Sequence, residues 1–304
     1  MIRPGSLHDA PRAAPMRQRA WPDMIVTEEG MRHTLECVPD RAELALFAYE
    51  DAGRIDGWAT AGRAWWHHDP GQGMVTIAVD PERRGRRIAS ELAEVAEAHL
   101  AALGIRTTRT ESVDEPAARA LAGKWGFTQI GASSTSAVDP RTVDPHPVPA
   151  GVEIVSFAEL TDPEPVYLLD IETSADIPNE TFEAIPFEEW VREYWRAPTI
   201  DNDASLTAIV DGELVAATMV RVDRPSGRAH NNLTGTLRPY RGRGLATLLK
   251  SHSLHRAGAL GVTIAITDND ETNAAMLAVN AKLGYRPFAR RLIWERRPSA
   301  GSGG

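Results

Sequence analysis

A glycine-rich turn in the second half of the chain has the residue types of an anion-binding site. Its sequence is RGRGLA, residues 241–246, and it lies between a strand-like apolar run and a stretch with helical periodicity. Glycines let the backbone approach a ligand closely and direct N–H groups outward. The first turn of the following helix adds unpaired N–H donors and the positive end of the helix dipole. The turn therefore predicts a site for a phosphate-like anion.

An internal repeat surrounds this turn. The stretch VTIAVDPERRGRRIASEL resembles NNLTGTLRPYRGRGLATLL, and Arg84 aligns with Arg241 at an offset of 157 positions. Further on, the KWGF that contains Gly126 matches the KLGY that contains Gly284 at an offset of 158. Two landmarks at nearly the same offset indicate a tandem duplication of one domain.

Each half shows the same order of predicted elements. In the second half, two apolar runs flank Asp211 and Gly212, which is a strong hairpin signal, and a further strand leads into the turn. A helix, a buried strand and a last helix that ends at Gly284 follow. We predict a first domain at 1–138, a stiff linker with four prolines at 139–150, a second domain at 151–298 and a flexible tail at 299–304.

The order of elements around the turn resembles the GNAT superfamily of acyl-CoA-dependent N-acetyltransferases. The signature of that family is Arg/Gln-x-x-Gly-x-Gly/Ala after the fourth strand, and Arg241, Gly244 and Ala246 match it. The resemblance implies an α/β (α+β) fold with two tandem domains, each a mixed, mostly antiparallel, splayed sheet flanked by helices. The tandem plan is also similar to that of mycothiol synthase.

The resemblance implies acetyl-CoA as the acetyl donor, because the family's turn binds the pyrophosphate of coenzyme A. Thr234, Gly235 and Thr236 would flank the acetyl and pantetheine groups, and the helix near Asn273 would lie beside the thiol end. The pyrophosphate would be held by Arg241, Gly242, Arg243, Gly244, Leu245, Ala246 and Thr247.

The first half departs from the signature at its central position. Arg84 and Ala89 match, but Arg87 replaces the central glycine. A β-carbon restricts the backbone there, and the long side chain would occupy the space that the pyrophosphate needs. The alternative is that Arg87 supplies an additional charge for phosphate. We expect a degenerate first domain that supports the second, and we expect Gly244→Arg to abolish acetyl-CoA binding while Arg87→Gly changes it little.

Acetylation of an amine requires a base for the ammonium proton, donors for the oxyanion and a proton for the thiolate. The family's usual general acid is a tyrosine, and this chain has Asn280 at that position in the second half and Ala122 in the first. Asn280 and His230 are the catalytic candidates, with structural roles as the alternative. Asn231 and Asn232 are candidates for acceptor binding, although adjacent strand residues face opposite sides.

A concentration of acidic residues gives an expectation about the acceptor. Residues 142–191 contain twelve Asp and Glu and no Lys or Arg. Asp170, Glu172 and Asp176 fall on the helices that, by the resemblance, line the acceptor cleft. Such a surface attracts a cationic amine, although charge runs are also typical of a solvated face. The expected acceptor is a small cationic primary amine, such as an aminoglycoside-type antibiotic, a polyamine or an amino sugar.

Composition excludes several other classes of protein. The chain has 304 residues, a formal charge of −9 and one cysteine, Cys37, so it forms no intrachain disulfide. The acidic balance argues against nucleic acid, and no apolar run reaches the ~18 residues of a membrane span. No metal site is predicted, because the histidines lack a third ligand at a recognisable spacing.

The resulting hypothesis is a cytoplasmic N-acetyltransferase that transfers the acetyl group directly from acetyl-CoA to a small amine. Direct transfer is favoured because no positioned cysteine offers a covalent intermediate. A mycothiol-synthase-like acetyltransferase and a non-catalytic acyl-CoA-binding regulator are the alternatives. The sequence specifies no oligomeric state.

Overall fold

The computed structural model describes residues 1–177 and 183–297 of the chain. The predicted tail at 299–304 lies outside the described residues. Contacts divide the described residues into two compact units, a first unit of 1–22, 26–133 and 290–297 and a second unit of 23–25 with 134–289. This division differs from the predicted domains 1–138 and 151–298, because residues 290–297 belong to the first unit rather than to the second.

The first unit is built on a mostly antiparallel sheet. Its elements are β1 (Ile2–Pro4), α1 (Ala10–Ala20), α2 (Glu28–Cys37), β2 (Ala45–Asp51), β3 (Arg54–Arg63), β4 (Gln72–Val79), α3 (Ile88–Ala102), β5 (Thr107–Val113), α4 (Pro116–Lys124), residues 128–133 of β6 (Thr128–Val138) and residues 290–296 of β12 (Arg286–Arg296). The strand order is β1-β2-β3-β4-β5-β12-β6, and β4 and β5 run parallel.

Helices cover both faces of the first sheet. Trp58 of β3 packs against α1 and α2, whereas the next residue, Ala59, packs against Ile88 and Leu92 of α3. The alternation of side chains along a strand explains this separation. Helix α4 lies on the α3 side, because Phe127 contacts the clusters beneath both helices.

The second unit repeats this plan. Its elements are β7 (Val152–Ser156), α5 (Glu164–Ser174), α6 (Phe187–Trp190) continued by a π-helical turn (Val191–Trp195), β8 (Leu206–Val210), β9 (Glu213–Asp223), β10 (Arg228–Thr236), α7 (Leu245–Ala259), β11 (Ile264–Asp270) and α8 (Ala274–Lys282). The strand order is β6-β11-β10-β9-β8-β7, and β10 and β11 run parallel. The predicted α/β fold with tandem, mostly antiparallel sheets and flanking helices is confirmed.

Two local features of the second unit follow from its sequence. Asp211 and Gly212 both have positive φ, 52° and 81°, which suits the hairpin that joins β8 to β9. The predicted linker packs onto α7, since the backbone N–H of His146 donates to Ser251 Oγ at 2.9 Å. His252 Nε2 lies 2.8 Å from the carbonyl oxygen of His146.

Within residues 1–177 and 183–297, none of the helices combines the length and the apolar character needed to cross a lipid bilayer.

Candidate functional site

The two glycine-rich turns have the same backbone conformation. In the second unit Gly242 and Gly244 have φ values of 76° and 81°, and in the first unit Gly85 and Arg87 have 79° and 67°. Each turn leads into a helix of 15 residues. Arg87 therefore retains the left-handed turn of the signature, at a cost of about 1–2 kcal/mol for a residue with a β-carbon.

The second turn presents its backbone to solvent. Gly242, Arg243 and Gly244 are exposed, and a β-carbon at either glycine would meet no atom within 4 Å. The next residues, Leu245 and Thr247, are buried in the first turn of α7, while Ala246 is half-buried. Exposed backbone before a helix N-terminus is typical of anion sites, and phosphate binding at this turn stays a prediction.

The acidic residues that were expected to bind the acceptor already contact other residues of the chain. Asp176 accepts hydrogen bonds from Arg238 at 2.5 Å and from Arg241 at 2.6 Å, and these two guanidiniums hold the pKa of its carboxyl far below the usual range. Glu172 is exposed and lies 3.4 Å from the backbone nitrogen of Arg238. Arg238 and Arg241 thus offset the charge of Asp176, one of the carboxylates that were expected to attract a cation.

Asp170 is half-buried and already bonded. It accepts hydrogen bonds from Trp190 Nε1 at 2.7 Å and from Ser174 Oγ at 2.9 Å. Burial raises the pKa of its carboxyl, and the two hydrogen bonds oppose this shift. Asp170 therefore helps to fix α5 against Trp190, and a ligand would have to displace those partners to reach it.

The three candidate side chains of β10 contact different parts of the second unit. His230 Nε2 lies 2.7 Å from Asp268 Oδ1 on the neighbouring strand β11. Asn231 Oδ1 accepts from Thr234 Oγ1 at 2.8 Å, and Asn231 Nδ2 donates to the β9 strand. Asn232 is the extra residue of a β-bulge and is exposed. Only Asn231 points into the interior beside β11.

Gly235 and Asn273 have mainly structural contacts, whereas the Thr236 hydroxyl has no partner among the described residues. Helix α5 lies so close to β10 that a β-carbon on Gly235 would collide with the Thr173 side chain. Thr236 Oγ1 is buried without a hydrogen-bond partner among the described residues. Asn273 caps α8, since its side chain accepts from the backbone N–H of Met276 at 3.2 Å.

The pairing of β10 with β11 ends at Asn231 and Thr267, and Lys250 of α7 lies against both of these residues. This lysine is buried, and its Nζ donates to Asn280 Oδ1 at 2.8 Å, to Asn231 Oδ1 at 3.1 Å and to Thr267 Oγ1 at 3.4 Å. Burial lowers the pKa of Lys250 to about 7. The cavity beside it measures only about 10 Å³, the volume of one water.

The corresponding place in the first unit is open. The pairing of β4 with β5 stops after Met74 and Arg109, and beyond that point lies a cavity of about 370 Å³, which we call the first cleft. Such a volume is typical of small-molecule sites. The lining of the first cleft includes Arg83, Arg84, Gly85 and Arg87 of the turn, Ala89, Ala93 and Ala96 of α3, Glu111 and Ser112 of β5, and Trp21, Trp125, Phe127 and Trp294.

The difference between the two halves comes from a few aligned positions. At the offset of 157, Ala93 of α3 stands where α7 has Lys250, and at 158 Ala122 stands where α8 has Asn280. Two methyl groups therefore replace the buried polar network. Neither Ala93 nor Lys250 belongs to a motif, so only the alignment of the two halves distinguishes them before the structure is known.

The family follows from a comparison of sequences. Residues 13–127 and 168–285 both match the model of the Acetyltransferase (GNAT) family. The chain belongs to this family. The match includes the half that lacks the signature glycine, so the GNAT pattern extends through both units.

Solved structures share the tandem GNAT fold along the whole chain. A tandem GNAT protein from the clavulanic acid biosynthesis pathway, solved without AcCoA, has a TM-score of 0.75 at 21% identity, with 99% of each chain covered. A GCN5-related N-acetyltransferase from Sphaerobacter thermophilus has a TM-score of 0.72 at 18% identity, with 98% of this chain and 96% of that chain covered. A search of curated proteins finds no match to this chain.

Proposed function

We propose that this GNAT protein is a cytoplasmic acetyl-CoA-dependent N-acetyltransferase whose donor occupies the first cleft. The observation that carries the proposal is the cavity of about 370 Å³ between β4 and β5. The signature turn of the second unit remains a candidate phosphate site, but the pantetheine arm would have to displace the buried Lys250 there.

The turn of the first unit supports a phosphate-binding role. Gly85 is exposed, and the backbone there has room for a ligand, as in the second unit. Arg87 lines the first cleft, and among the described residues no hydrogen bond or ion pair involves its guanidinium. Its charge is available for a pyrophosphate group, which is the role that the sequence left as the alternative.

The edge of β4 supports binding of the pantetheine arm. Because the pairing with β5 stops at Met74 and Arg109, the following peptide groups of β4 face the first cleft rather than a strand. Backbone N–H and C=O groups require partners, and the amides of a pantetheine arm can supply them. An N–H on the same edge would also stabilise the oxyanion of the thioester carbonyl.

Two side chains of β5 suit the proton transfers. The amine nitrogen attacks the thioester carbonyl, the C–N bond forms and the C–S bond breaks, so that the acetyl group stays on the amine and coenzyme A leaves as a thiolate. We assign the ammonium proton to Glu111, an exposed carboxylate on the lining of the first cleft. Ser112 Oγ accepts from Trp294 Nε1 at 2.9 Å, so its own proton is free to reach the thiolate.

Calorimetric titration with acetyl-CoA, followed by thiol release with a panel of amines, tests this function. Ala93→Lys places in the first cleft a lysine like Lys250, which stands at the matching position of the second unit. Because this side chain would occupy the space of the donor, we expect the affinity for acetyl-CoA to fall at least ~100-fold. The matched change is Gly244→Arg, because Arg87 shows that an arginine can adopt this left-handed conformation in the first turn. This variant should leave the binding of acetyl-CoA nearly intact. Loss of binding in Gly244→Arg alone would move the donor to the second unit. Donor binding without thiol release for any amine would favour the regulator.

A further inference from the structure

Glu111 and Arg291 of the first unit lie on the face of the sheet opposite α3 and α4. Glu111 and Ser112 are adjacent in β5, so their side chains face opposite sides. Ser112 bonds to Trp294, which packs with Ala122 of α4, so Glu111 lies on the other face. Arg291 of β12 shares that face, because its Nε lies 3.4 Å from Glu111 Oε2. An acceptor amine can approach from this side while the donor lies on the other.

Trp21 connects this face to the first cleft. It follows α1 directly and contributes to the lining of the cleft. The guanidinium carbon of Arg17 lies 4.8 Å from the centroid of the Trp21 ring, and that of Arg291 lies 5.9 Å from it. Two positive charges therefore flank the acceptor side of the cleft.

Arg17 has no anionic partner among the described residues. Its Nε is buried without a hydrogen bond, and no ion pair involves its guanidinium. Burial lowers the pKa of Arg17 to about 10, and no carboxylate opposes the shift. An uncompensated desolvated charge destabilises a fold. By contrast, the charge of Arg291 is offset by Glu111. This leaves one unbalanced positive charge next to Trp21.

We propose that Arg17 binds the carboxylate of the acceptor, so that the substrate is an amino acid or a similar small molecule with both a primary amine and a carboxylate. The inference rests on the proposed function. One unbalanced guanidinium matches one negative charge, and its planar fork matches the two oxygens of a carboxylate. The carbon skeleton then packs on Trp21, and the amine lies toward Glu111. A purely cationic amine, the acceptor expected from the sequence, would be repelled by Arg17.

Paired probes separate the classes of acceptor. L-lysine is compared with cadaverine and L-phenylalanine with phenethylamine, since each pair differs by the carboxylate, and phosphoethanolamine is compared with ethanolamine. We measure acetyl-CoA-dependent thiol release and, without coenzyme, calorimetric binding. At least one carboxylate-bearing member should exceed its partner by about tenfold or more in kcat/KM and in affinity. Equal responses of both members in every pair, or a preference for phosphoethanolamine, would overturn the proposal.

Arg17→Met keeps the size of the side chain and removes its charge. It should raise the KM and Kd for the preferred amino acid about tenfold or more, with the Kd of acetyl-CoA unchanged. Arg32→Met, at a half-buried arginine of α2 that pairs with Glu28, is the control and should alter neither. An unchanged Kd in Arg17→Met overturns the inference. If acetyl-CoA does not bind but Arg17-dependent amino-acid binding persists, the proposed function fails and the anion site stands.

Discussion

Beyond the turn of the first unit lies a cavity of about 370 Å³, and beyond the turn of the second lies the side chain of Lys250. The turns themselves have the same conformation, although only the second has both signature glycines. The comparison shows that the left-handed turn and an open cavity beyond it are separate properties of this fold. In this chain the better signature and the larger cavity occur in different copies.

The largest expected effect concerns the acid on the fifth strand of each copy. Glu111→Gln should lower kcat by roughly 10²–10⁴-fold, because the amine then loses its proton acceptor, with the Kd of acetyl-CoA unchanged. The matched change is Asp268→Asn, which stands at the same position of the second unit at the offset of 157 and bonds to His230. Steady-state kinetics on both variants checks this. If kcat falls strongly in Asp268→Asn and stays normal in Glu111→Gln, the reaction would take place at His230 in the second unit instead.

An intermediate effect concerns the lysine that fills the second unit. The pKa of Lys250 is lowered to about 7, whereas a lysine of the unfolded chain titrates near ~10.4. Between these values the unfolded chain binds more protons, so the free energy of unfolding should rise with pH by at most about 1.4 kcal/mol per pH unit. Denaturant unfolding from pH 7 to 9 should show this slope in the wild type and not in Lys250→Met.

Ala93→Met, at the matching position of α3, serves as the control and should keep the slope of the wild type. Parallel stability profiles of the wild type and Lys250→Met would show that the buried amine does not titrate in this window.

The smallest effect concerns the left-handed residue before each helix. Arg87→Gly should weaken acetyl-CoA binding several-fold, since an exposed charge contact to phosphate contributes about 1 kcal/mol, while chain stability rises by up to about 1 kcal/mol. Calorimetry and thermal unfolding separate the two consequences. Unchanged affinity would support the sequence-based expectation that Arg87→Gly changes acetyl-CoA binding little.

Much of the fold could be predicted because local patterns determine it. The helix expected after each glycine-rich turn is present, as α3 and α7, and the hairpin at Asp211 and Gly212 occurs where the turn residues indicated it. The position of the last strand, β12, could not be predicted in this way. Its pairing with β5 joins Arg291 to Val113, and no local pattern encodes so distant a partner.

The candidate site was harder to predict, because no local sequence pattern marks the residues that determine it. Lysines on helices usually lie at the surface, so nothing local marks Lys250 as buried. The β-carbon of Arg87 was expected to restrict the backbone, yet Arg87 has the same left-handed conformation as Gly244. The acidic segment was interpreted by charge alone, whereas Asp176 is bonded to Arg238 and Arg241.

The place of β12 has a consequence for biosynthesis. Residues 290–296 complete the sheet of the first unit, and Trp294 among them lines the first cleft. A ribosome adds about 5–20 residues per second, so the intervening residues 134–289 require roughly eight to thirty seconds. During that interval the first unit exposes the edge of β5, which is an aggregation hazard for a nascent chain. We therefore expect the cleft of the first unit to mature after the second unit has been synthesised.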